Sequence, residues 1–284
     1  MPRVVLLLLL MSQPSGELKS PQFQIIAPPE WESVQKRLEV LDGSPLSDVA
    51  KLVGLRDSGL PVSVELAGES SDWARGVAPW VAGFAVRDTV VIFPSRSPSY
   101  PDSTLEDVLR HEITHALIYR ATSGRPVPRW FNEGLAMAAE RQWKLSDQTQ
   151  LYYQLVSGPR ESLDALDRLF AGRQQDQTRA YLLSSALVRD LLSTHGETAA
   201  ARILTKMREG DSFEAAYLDV TAKSVASTER EFWERQRVWT TWIPIVFSQE
   251  FLWSAVTLLA ILAIYRMRRR NAEIRKRWEE EGDV

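Results

Sequence analysis

The spacing of apolar residues predicts a strand-rich first part of the chain and a helical remainder. Short alternating or continuous apolar runs predict four strands, at residues 23–27, 61–66, 81–86 and 89–93. Apolar residues that recur every three to four positions predict helices at residues 31–41, 46–53, 103–123, 135–144, 147–156, 162–170, 181–194, 198–208, 213–218 and 227–237. The predicted fold is therefore α+β: a small sheet covers one helix, and a helical C-terminal lobe follows.

The helix predicted over residues 103–123 has signals at its start and along one face. Ser103 followed by Glu106 forms a capping box, with Ser103 as the N-cap. Neither proline nor glycine interrupts the range. Its apolar residues recur at helical spacing, at Leu105, Val108, Leu109, Ala116 and Leu117. We therefore expect a helix that packs its apolar face against the rest of the domain.

This helix carries the pentad His111-Glu112-Ile113-Thr114-His115, the most informative segment of the chain. The chain has only three histidines, and two of them lie here, four positions apart. Residues i and i+4 share one face of a helix, so both imidazoles can reach one metal ion, and Glu112 projects beside them. This H-E-x-x-H spacing is typical of a zinc hydrolase, in which the glutamate acts on a metal-bound water.

A catalytic zinc normally takes three protein ligands and one water, so the pentad leaves one ligand to be found. The 17 residues between His115 and Glu133 allow one helix to end, a loop to turn, and a second helix to return antiparallel over the histidines. Glu133 comes early in that second helix, and Glu140 lies seven residues further on. Both carboxylates are candidate ligands, and we favour Glu133.

The pentad and the segment Pro128–Ala136 (PRWFNEGLA) together resemble the gluzincins, the thermolysin-like zinc metallopeptidases, and are most similar to the bacterial peptidase MA-like family. The similarity extends over about residues 60–235. The resemblance implies one Zn²⁺ ion per chain, held by His111, His115 and Glu133. It also implies that Glu112 is the catalytic base of a protease that hydrolyses peptide bonds.

One position departs from the thermolysin pattern, in which an acid four residues after the third ligand supports a ligating histidine. This chain has Met137 at that position. Asp107, one turn before His111, is an alternative acceptor behind the ligand, although an acid at a helix start is also ordinary. For the donor to the developing oxyanion, the resemblance offers Tyr181 and His195, and Tyr181 is the favoured catalytic residue. Core packing of Tyr181 and a helix-end position of His195 are the structural alternatives.

The strands predicted at 81–86 and 89–93 form a hairpin through the polar pair Arg87-Asp88. In the gluzincins an edge strand above the zinc binds the substrate backbone, and the resemblance implies the same for this hairpin. The small residues Gly83 and Ala85 leave room for a peptide backbone to approach closely. The strands also cover the active helix, and this structural role remains an alternative.

Composition narrows the classes of function. The chain has 284 residues with 44% hydrophobic and 25% charged residues, values typical of a globular protein with an ample core. A net charge of −3, without an extended basic face before residue 266, argues against nucleic acid as a partner. Because the chain has no cysteine, a thiol nucleophile, a cysteine-ligated zinc and a disulfide are all excluded.

Both ends of the chain predict a membrane protein. Residues 1–16 resemble a short signal peptide with eight apolar residues, from Val4 to Met11. Residues 247–265 predict one transmembrane helix, because a helix of that length spans about 28 Å against an apolar bilayer core of about 30 Å. The basic tail at 266–284 predicts a cytoplasmic C-terminus. The metallopeptidase domain, predicted at 20–238, then lies on the extracytoplasmic side of the cell membrane.

The leading interpretation is a single-pass, membrane-anchored zinc metallopeptidase. Only about ten residues separate the domain from the predicted membrane helix, so we expect membrane-proximal peptide or protein substrates, with the lipid bilayer as a second partner. One alternative is a catalytically inactive, membrane-tethered binding or assembly module on the same fold. Another is a zinc hydrolase of a different amide, such as a cell-wall peptide. Glu112 favours an enzyme, since a module without chemistry does not need that carboxylate.

Overall fold

The computed structural model describes residues 22–41, 46–56, 59–96, 104–140, 145–157, 159–246 and 249–282. The signal peptide predicted at residues 1–16 lies outside this part of the chain. The chain divides into two compact units, one up to Arg230 and one from Glu231 onward. Most of the described residues are helical and a small sheet accompanies them, so the predicted α+β class is confirmed.

Four strands form one mixed sheet in the first unit. They are β1 (Phe23–Ile26), β2 (Val62–Leu66), β3 (Gly83–Val86) and β4 (Thr89–Ile92). Their order is β1-β2-β4-β3, with β1, β2 and β4 parallel and β3 antiparallel to β4. The four predicted strands and the predicted hairpin are confirmed. Strand β3 lies at an edge of the sheet. Arg87, in the turn that joins β3 to β4, has a φ of 55°, the left-handed value that tight hairpin turns require.

Each helix predicted between residues 31 and 237 is present. The α-helices of the described residues are α1 (Glu32–Glu39), α2 (Ser47–Val53), α3 (Leu105–Ala121), α4 (Arg129–Glu140), α5 (Leu145–Ser157), α6 (Leu163–Phe170), α7 (Gln174–His195), α8 (Ala199–Glu209), α9 (Phe213–Thr221), α10 (Val225–Val246) and α11 (Gln249–Gly282). Short 3-10 turns lie at Pro29–Trp31, Asp72–Ala74 and Pro94–Arg96.

The start of α3 differs from the prediction. Thr104 is the N-cap, because its Oγ1 accepts a hydrogen bond from the backbone N–H of Asp107 at 3.1 Å. The predicted N-cap, Ser103, lies outside the described residues. The carboxylate of Glu106, predicted to close a capping box, accepts a hydrogen bond from the Nη2 of Arg37 at 2.9 Å and also interacts with the side chain of Thr104. A side chain therefore caps the start of α3, as predicted, but the N-cap is Thr104, one position later than Ser103.

Two later helices begin earlier than predicted. Helix α4 begins at Arg129, directly after Pro128, whereas apolar periodicity placed its start at residue 135. Helix α7 begins at Gln174, where the carboxylate of Asp176 accepts a hydrogen bond from the backbone N–H of Arg173 at 3.0 Å. The first turns of α7 are polar, and a polar first turn carries no apolar periodicity to detect.

Helix α3 lies between the sheet and α4, with contacts to β3 and β4 as well as to α4. Leu109, Ile113 and Leu117, each four positions from the next, are fully buried along it. Helix α4 packs in turn on α7. The two approach most closely at Gly134, where a Cβ would lie 2.5 Å from the carbonyl oxygen of Ser184. Only glycine allows this approach, which fixes the depth of α4 in the fold.

The second unit contains most of α10 and all of α11. Within α11 the uncharged stretch after Glu250 runs from Phe251 to Tyr265, about 22 Å of helix, and residues 247 and 248 of the predicted span lie outside the described residues. Among the residues that the structure describes, no helix combines the length and the apolar character needed to cross a membrane. The transmembrane helix predicted over 247–265 is therefore not supported by the structure.

Candidate metal centre and active-site cleft

Two histidines on one face of α3 form the base of the site. His111 and His115 are one turn apart, and their ring centroids lie 4.9 Å from each other. His111 is buried, with 3% of its surface exposed, and the side chain of His115 is 15% exposed. The i, i+4 spacing of the pentad thus places both imidazoles at the same opening in the fold.

Glu133, in the first turns of α4, is the third member of the group. Its Oε2 lies 3.5 Å from the Nε2 of His111 and 3.5 Å from the Nε2 of His115. One ligand atom from each of the three residues lies within 4.8 Å of the other two. Glu133 Oε2 is buried and accepts no hydrogen bond from any described residue. Two imidazole nitrogens and one orphaned carboxylate oxygen fit the donor set of a catalytic zinc site.

The ionisation of Glu133 also fits a metal ligand. Burial alone would raise the pKa of Glu133, but the attraction of the two histidines outweighs it and holds the pKa well below its ordinary range. Burial likewise lowers the pKa of His115, and the carboxylate of Glu133 outweighs this effect and raises it. Glu133 is therefore an anion at any physiological pH, the state in which a carboxylate ligates a cation.

The other nitrogen of each imidazole faces a protein oxygen. His115 Nδ1 lies 3.0 Å from Asn132 Oδ1. Since an amide oxygen only accepts, Nδ1 carries a proton, and in the neutral imidazole Nε2 then has the lone pair that a metal needs. His111 Nδ1 lies 3.6 Å from Oε2 of Glu140, whose side chain is fully buried. The predicted rival ligand, Glu140, therefore lies behind His111 rather than among the three converging ligand atoms.

Glu140 faces His111 through Nδ1, whereas Glu133 faces it through Nε2. Asp107 was one candidate acceptor behind His111, with an ordinary helix-start acid as the alternative; its backbone N–H donates to Thr104 Oγ1, and the role of its carboxylate stays a prediction. Glu140 lies seven residues after Glu133, which is two helical turns, so both carboxylates project from the same side of α4. The spacing was visible in the sequence, but only the packing of α4 on α3 identifies which imidazole nitrogen Glu140 faces.

Glu112 lies beside the three converging residues and is 7% exposed. Burial raises the pKa of Glu112, and both histidines act in the opposite direction. Gly83 of β3 lies directly against it: a Cβ on Gly83 would be 3.0 Å from Glu112 Cγ and 2.9 Å from Val108 Cγ1. The sequence analysis expected Gly83 to admit a substrate backbone. The structure adds that the missing side chain makes room for the carboxylate.

A cleft of about 400 Å³ opens above these residues. Strand β3 forms one wall, helices α4 and α7 contribute the other, and α3 provides the floor. Tyr181 of α7 lines the cleft, with its ring centroid 6.3 Å from that of His111 and 5.2 Å from that of Phe170. His195, the alternative to Tyr181, lies about 21 Å further along α7 and is not among the cleft residues.

Four lining residues were not identified as site residues from the sequence: Arg87, Tyr119, Arg129 and Asn132. Arg129 and Asn132 belong to the segment that carries Glu133, at one turn and one residue before it, so their neighbourhood was available as a signal. Arg87 was recognised only as a turn residue. Tyr119 lies one turn after His115 on α3, which was also visible in the sequence.

Comparison with known proteins gives one match to a family and one search without a match. A search of curated proteins finds no match. The family profile described as the Peptidase MA superfamily matches residues 47–238, which is more than half of the chain. The matched range includes the whole of the site, from β3 to Tyr181. The chain therefore belongs to the Peptidase MA superfamily.

Proposed function

We propose that the protein is a zinc metallopeptidase that hydrolyses peptide bonds. The observation that carries this proposal is the convergence of His111, His115 and Glu133 within 4.8 Å of one another, with Glu112 beside them in an open cleft. When bound there, zinc supplies an activated water and polarises the scissile carbonyl. The other requirements of the reaction fall to side chains of the chain itself.

Glu112 is the proposed general base. It takes a proton from the attacking water and later delivers it to the leaving amine. Its burial and raised pKa support this role, because a carboxylate that is too acidic would hold a proton poorly between the two steps. The contact with Gly83 holds the carboxylate under strand β3, on the side of the cleft where a peptide would lie.

Tyr181 is the proposed donor to the developing oxyanion. Its phenol O–H can donate a hydrogen bond, and its ring lies at the cleft beside His111. The edge of Phe170 packs against the ring and restricts its orientation. A donor held in place before the reaction loses little energy to reorganisation.

Strand β3 is the proposed substrate platform. It is an edge strand, so one row of its backbone N–H and C=O groups is not used within the sheet. An extended peptide can pair with that row while its scissile bond lies over Glu112. Gly83, Phe84 and Ala85 line the cleft and present the strand to it.

Association with a membrane, with the metal site on the extracytoplasmic side, is a separate proposal that rests on the sequence. Its support is the apolar stretch of α11 and the arginine-rich stretch that follows it. Large apolar side chains of this helix are exposed, among them Trp253, Val256, Leu258, Leu259, Ile261, Leu262 and Ile264. An apolar surface of this kind is typical of a helix that lies against lipid or a partner. Membrane-proximal peptides are the proposed substrates.

The Glu112→Gln variant tests the enzyme against the inactive module. The amide has the shape of the carboxylate but cannot take the proton of the water, so we expect a loss of kcat of at least about a hundredfold. Zinc bound per chain should stay unchanged, because Glu112 is not one of the three ligands. Equal turnover by the two proteins would contradict the role of Glu112 as the base, and no turnover by either over a broad peptide library would favour the inactive module.

A further inference from the structure

Arg129 is a fixed cation at the edge of the metal group. Its guanidinium carbon lies 4.5 Å above the centre of the Phe170 ring, and its Nε lies 3.7 Å from Oε1 of Glu133. The side chain is 48% exposed and lines the cleft. Stacking on one aromatic face and attraction to one carboxylate hold the group in place while part of it faces the cleft.

The donors of Arg129 differ from those of Arg96, Arg110 and Arg120. Arg96 donates to Glu69 and to two backbone carbonyls, Arg110 donates to Asp48 and to a carbonyl, and Arg120 donates to Asp88 and to a carbonyl. The guanidinium of Arg129 donates no hydrogen bond to any residue in the described part of the chain. The planar guanidinium therefore keeps N–H groups with which it can bind a carboxylate through two parallel hydrogen bonds.

The position of Arg129 limits where such a carboxylate lies. The guanidinium is in contact with the same carboxyl group that points Oε2 at the two histidines. A ligand carboxylate on its far edge therefore lies within a few residues of extended peptide, at about 3.4 Å each, of the carboxyl group that faces the two histidines. The carboxylate that Arg129 binds is therefore close to the scissile bond.

The cleft is short at the end where β3 begins, which we call the short arm. The end towards the β3–β4 turn is the open arm. Trp80, just before β3, donates its Nε1–H to Oε1 of Gln177 in the first turn of α7 at 3.3 Å. Gln177 is itself held by a hydrogen bond from its Nε2 to the carbonyl of Gly172 at 3.2 Å. This bridge joins the two walls of the cleft. Val81 is the last lining residue on that side.

The chain segment before the bridge is rigid. Arg96, whose side chain is only 6% exposed, donates to the carbonyls of Ala78 and Val81 at 3.2 Å each. From Gly83, which contacts Glu112, back to Trp80 is three residues, at most about 10 Å. About three substrate residues therefore fit between the reacting bond and the bridge, whereas the opposite arm leads past Ala85 to the exposed turn at Arg87.

We propose that the protein removes one to three residues from the C-terminus of its peptide substrate, and that Arg129 binds the free terminal carboxylate. A peptide paired antiparallel with β3, the more stable arrangement, runs from the open arm towards Trp80, so its C-terminus lies in the short arm. This assignment rests on the proposed metallopeptidase function and adds the substrate class to it.

The test compares two peptides of one sequence, one with a free C-terminus and one with a C-terminal amide. Wild type should cleave the free acid with a kcat/KM about ten- to a hundredfold higher, the gain typical of a hydrogen bond to a charged group. Arg129→Gln should bring the ratio close to one, mainly through KM. Arg87→Gln, which removes the other arginine of the cleft, should leave the ratio unchanged. Mass spectrometry should show released fragments of one to three residues.

Binding gives a second readout that does not need turnover. The zinc-loaded Glu112→Gln protein should bind the free acid more tightly than the amide, and the added change Arg129→Gln should remove that difference. Equal binding and equal cleavage of the two peptides by wild type would overturn the proposal while leaving the peptidase intact. An Arg129-dependent preference for an internal acidic side chain, seen in amidated peptides, would overturn the terminal assignment. If wild type bound and cleaved neither peptide, the proposed function itself would fail.

Discussion

Each ligating histidine depends on a second residue that faces its other nitrogen. Asn132 faces His115 Nδ1, and the fully buried Glu140 faces His111 Nδ1. Partners of this kind fix the orientation and the tautomer of the imidazole and increase its basicity. Because the acid expected four residues after Glu133 is replaced by Met137, we propose that Glu140, 3.6 Å from His111 Nδ1, is the carboxylate that gives this support.

Glu140→Gln should therefore weaken zinc binding by about ten- to a hundredfold. The amide keeps the volume of the side chain but removes its negative charge. Competition with a chromogenic chelator measures the affinity directly, without reference to activity. Asp107→Asn is the matched control, since it changes the acid at the helix start, and it should alter the affinity by less than about threefold, because a helix-end charge contributes little. The reverse order of the two effects would assign the support to Asp107.

At the scale of elements, sequence reasoning succeeded where a signal was local. The pentad and its spacing identify α3, and the segment around Glu133 identifies α4, because caps, periodicity and motif all lie within a few residues of one another. No local feature of the sequence indicated how closely α4 packs against α7. The close approach at Gly134 and Ser184 sets that packing distance. The packing of α4 on α3 places Glu133 and Glu140 on either side of His111. The roles of Arg129 and Glu140 depend on the same packing.

The packing of β3 on α3 gives a prediction at this scale. In Gly83→Ala, the new Cβ would lie 3.0 Å from Glu112 Cγ, so the carboxylate must move by a fraction of an ångström. We expect kcat to fall about tenfold or more, because misplacement of a reacting group by about 1 Å can cost a hundredfold. The zinc content should stay unchanged, since Glu112 is not among the three ligand residues.

Gly68→Ala is the control for this change, because a Cβ on Gly68 meets no atom within 4 Å and its backbone is not in the left-handed region. Its kcat should equal that of wild type. If both variants had the activity of wild type, the contact between β3 and the catalytic base would not contribute to kcat.

For the whole molecule, the metal site and the proposed membrane association belong to different parts of the chain. The site lies entirely within the first unit, and the exposed apolar side chains of α11 lie in the second. The hydrophobic stretch and the cationic residues after it were visible in the sequence. Their physical consequence depends on a lipid environment, and an amino-acid pattern does not show which surface an apolar helix contacts.

Fractionation of cells that express the full chain tests the membrane proposal. We expect the protein in the membrane pellet, and we expect protease added to intact spheroplasts to digest the metal-binding unit. A variant in which Leu258, Leu259 and Leu262 are replaced by serine should move to the supernatant, because it loses apolar contact area. Wild-type protein that is recovered in the supernatant, or that resists external protease, would contradict the proposed location.

Zinc bound per chain is the most direct measurement of the central claim that His111, His115 and Glu133 hold one ion. Purified protein is saturated with Zn²⁺ and dialysed, and the metal is then quantified by mass spectrometry beside Glu133→Ala and Glu140→Ala. We predict one zinc per wild-type chain and near-complete loss in Glu133→Ala, because two imidazoles alone form an incomplete site. Glu140→Ala should keep a measurable fraction. Wild type without zinc, or Glu133→Ala with as much zinc as wild type, would contradict the claim.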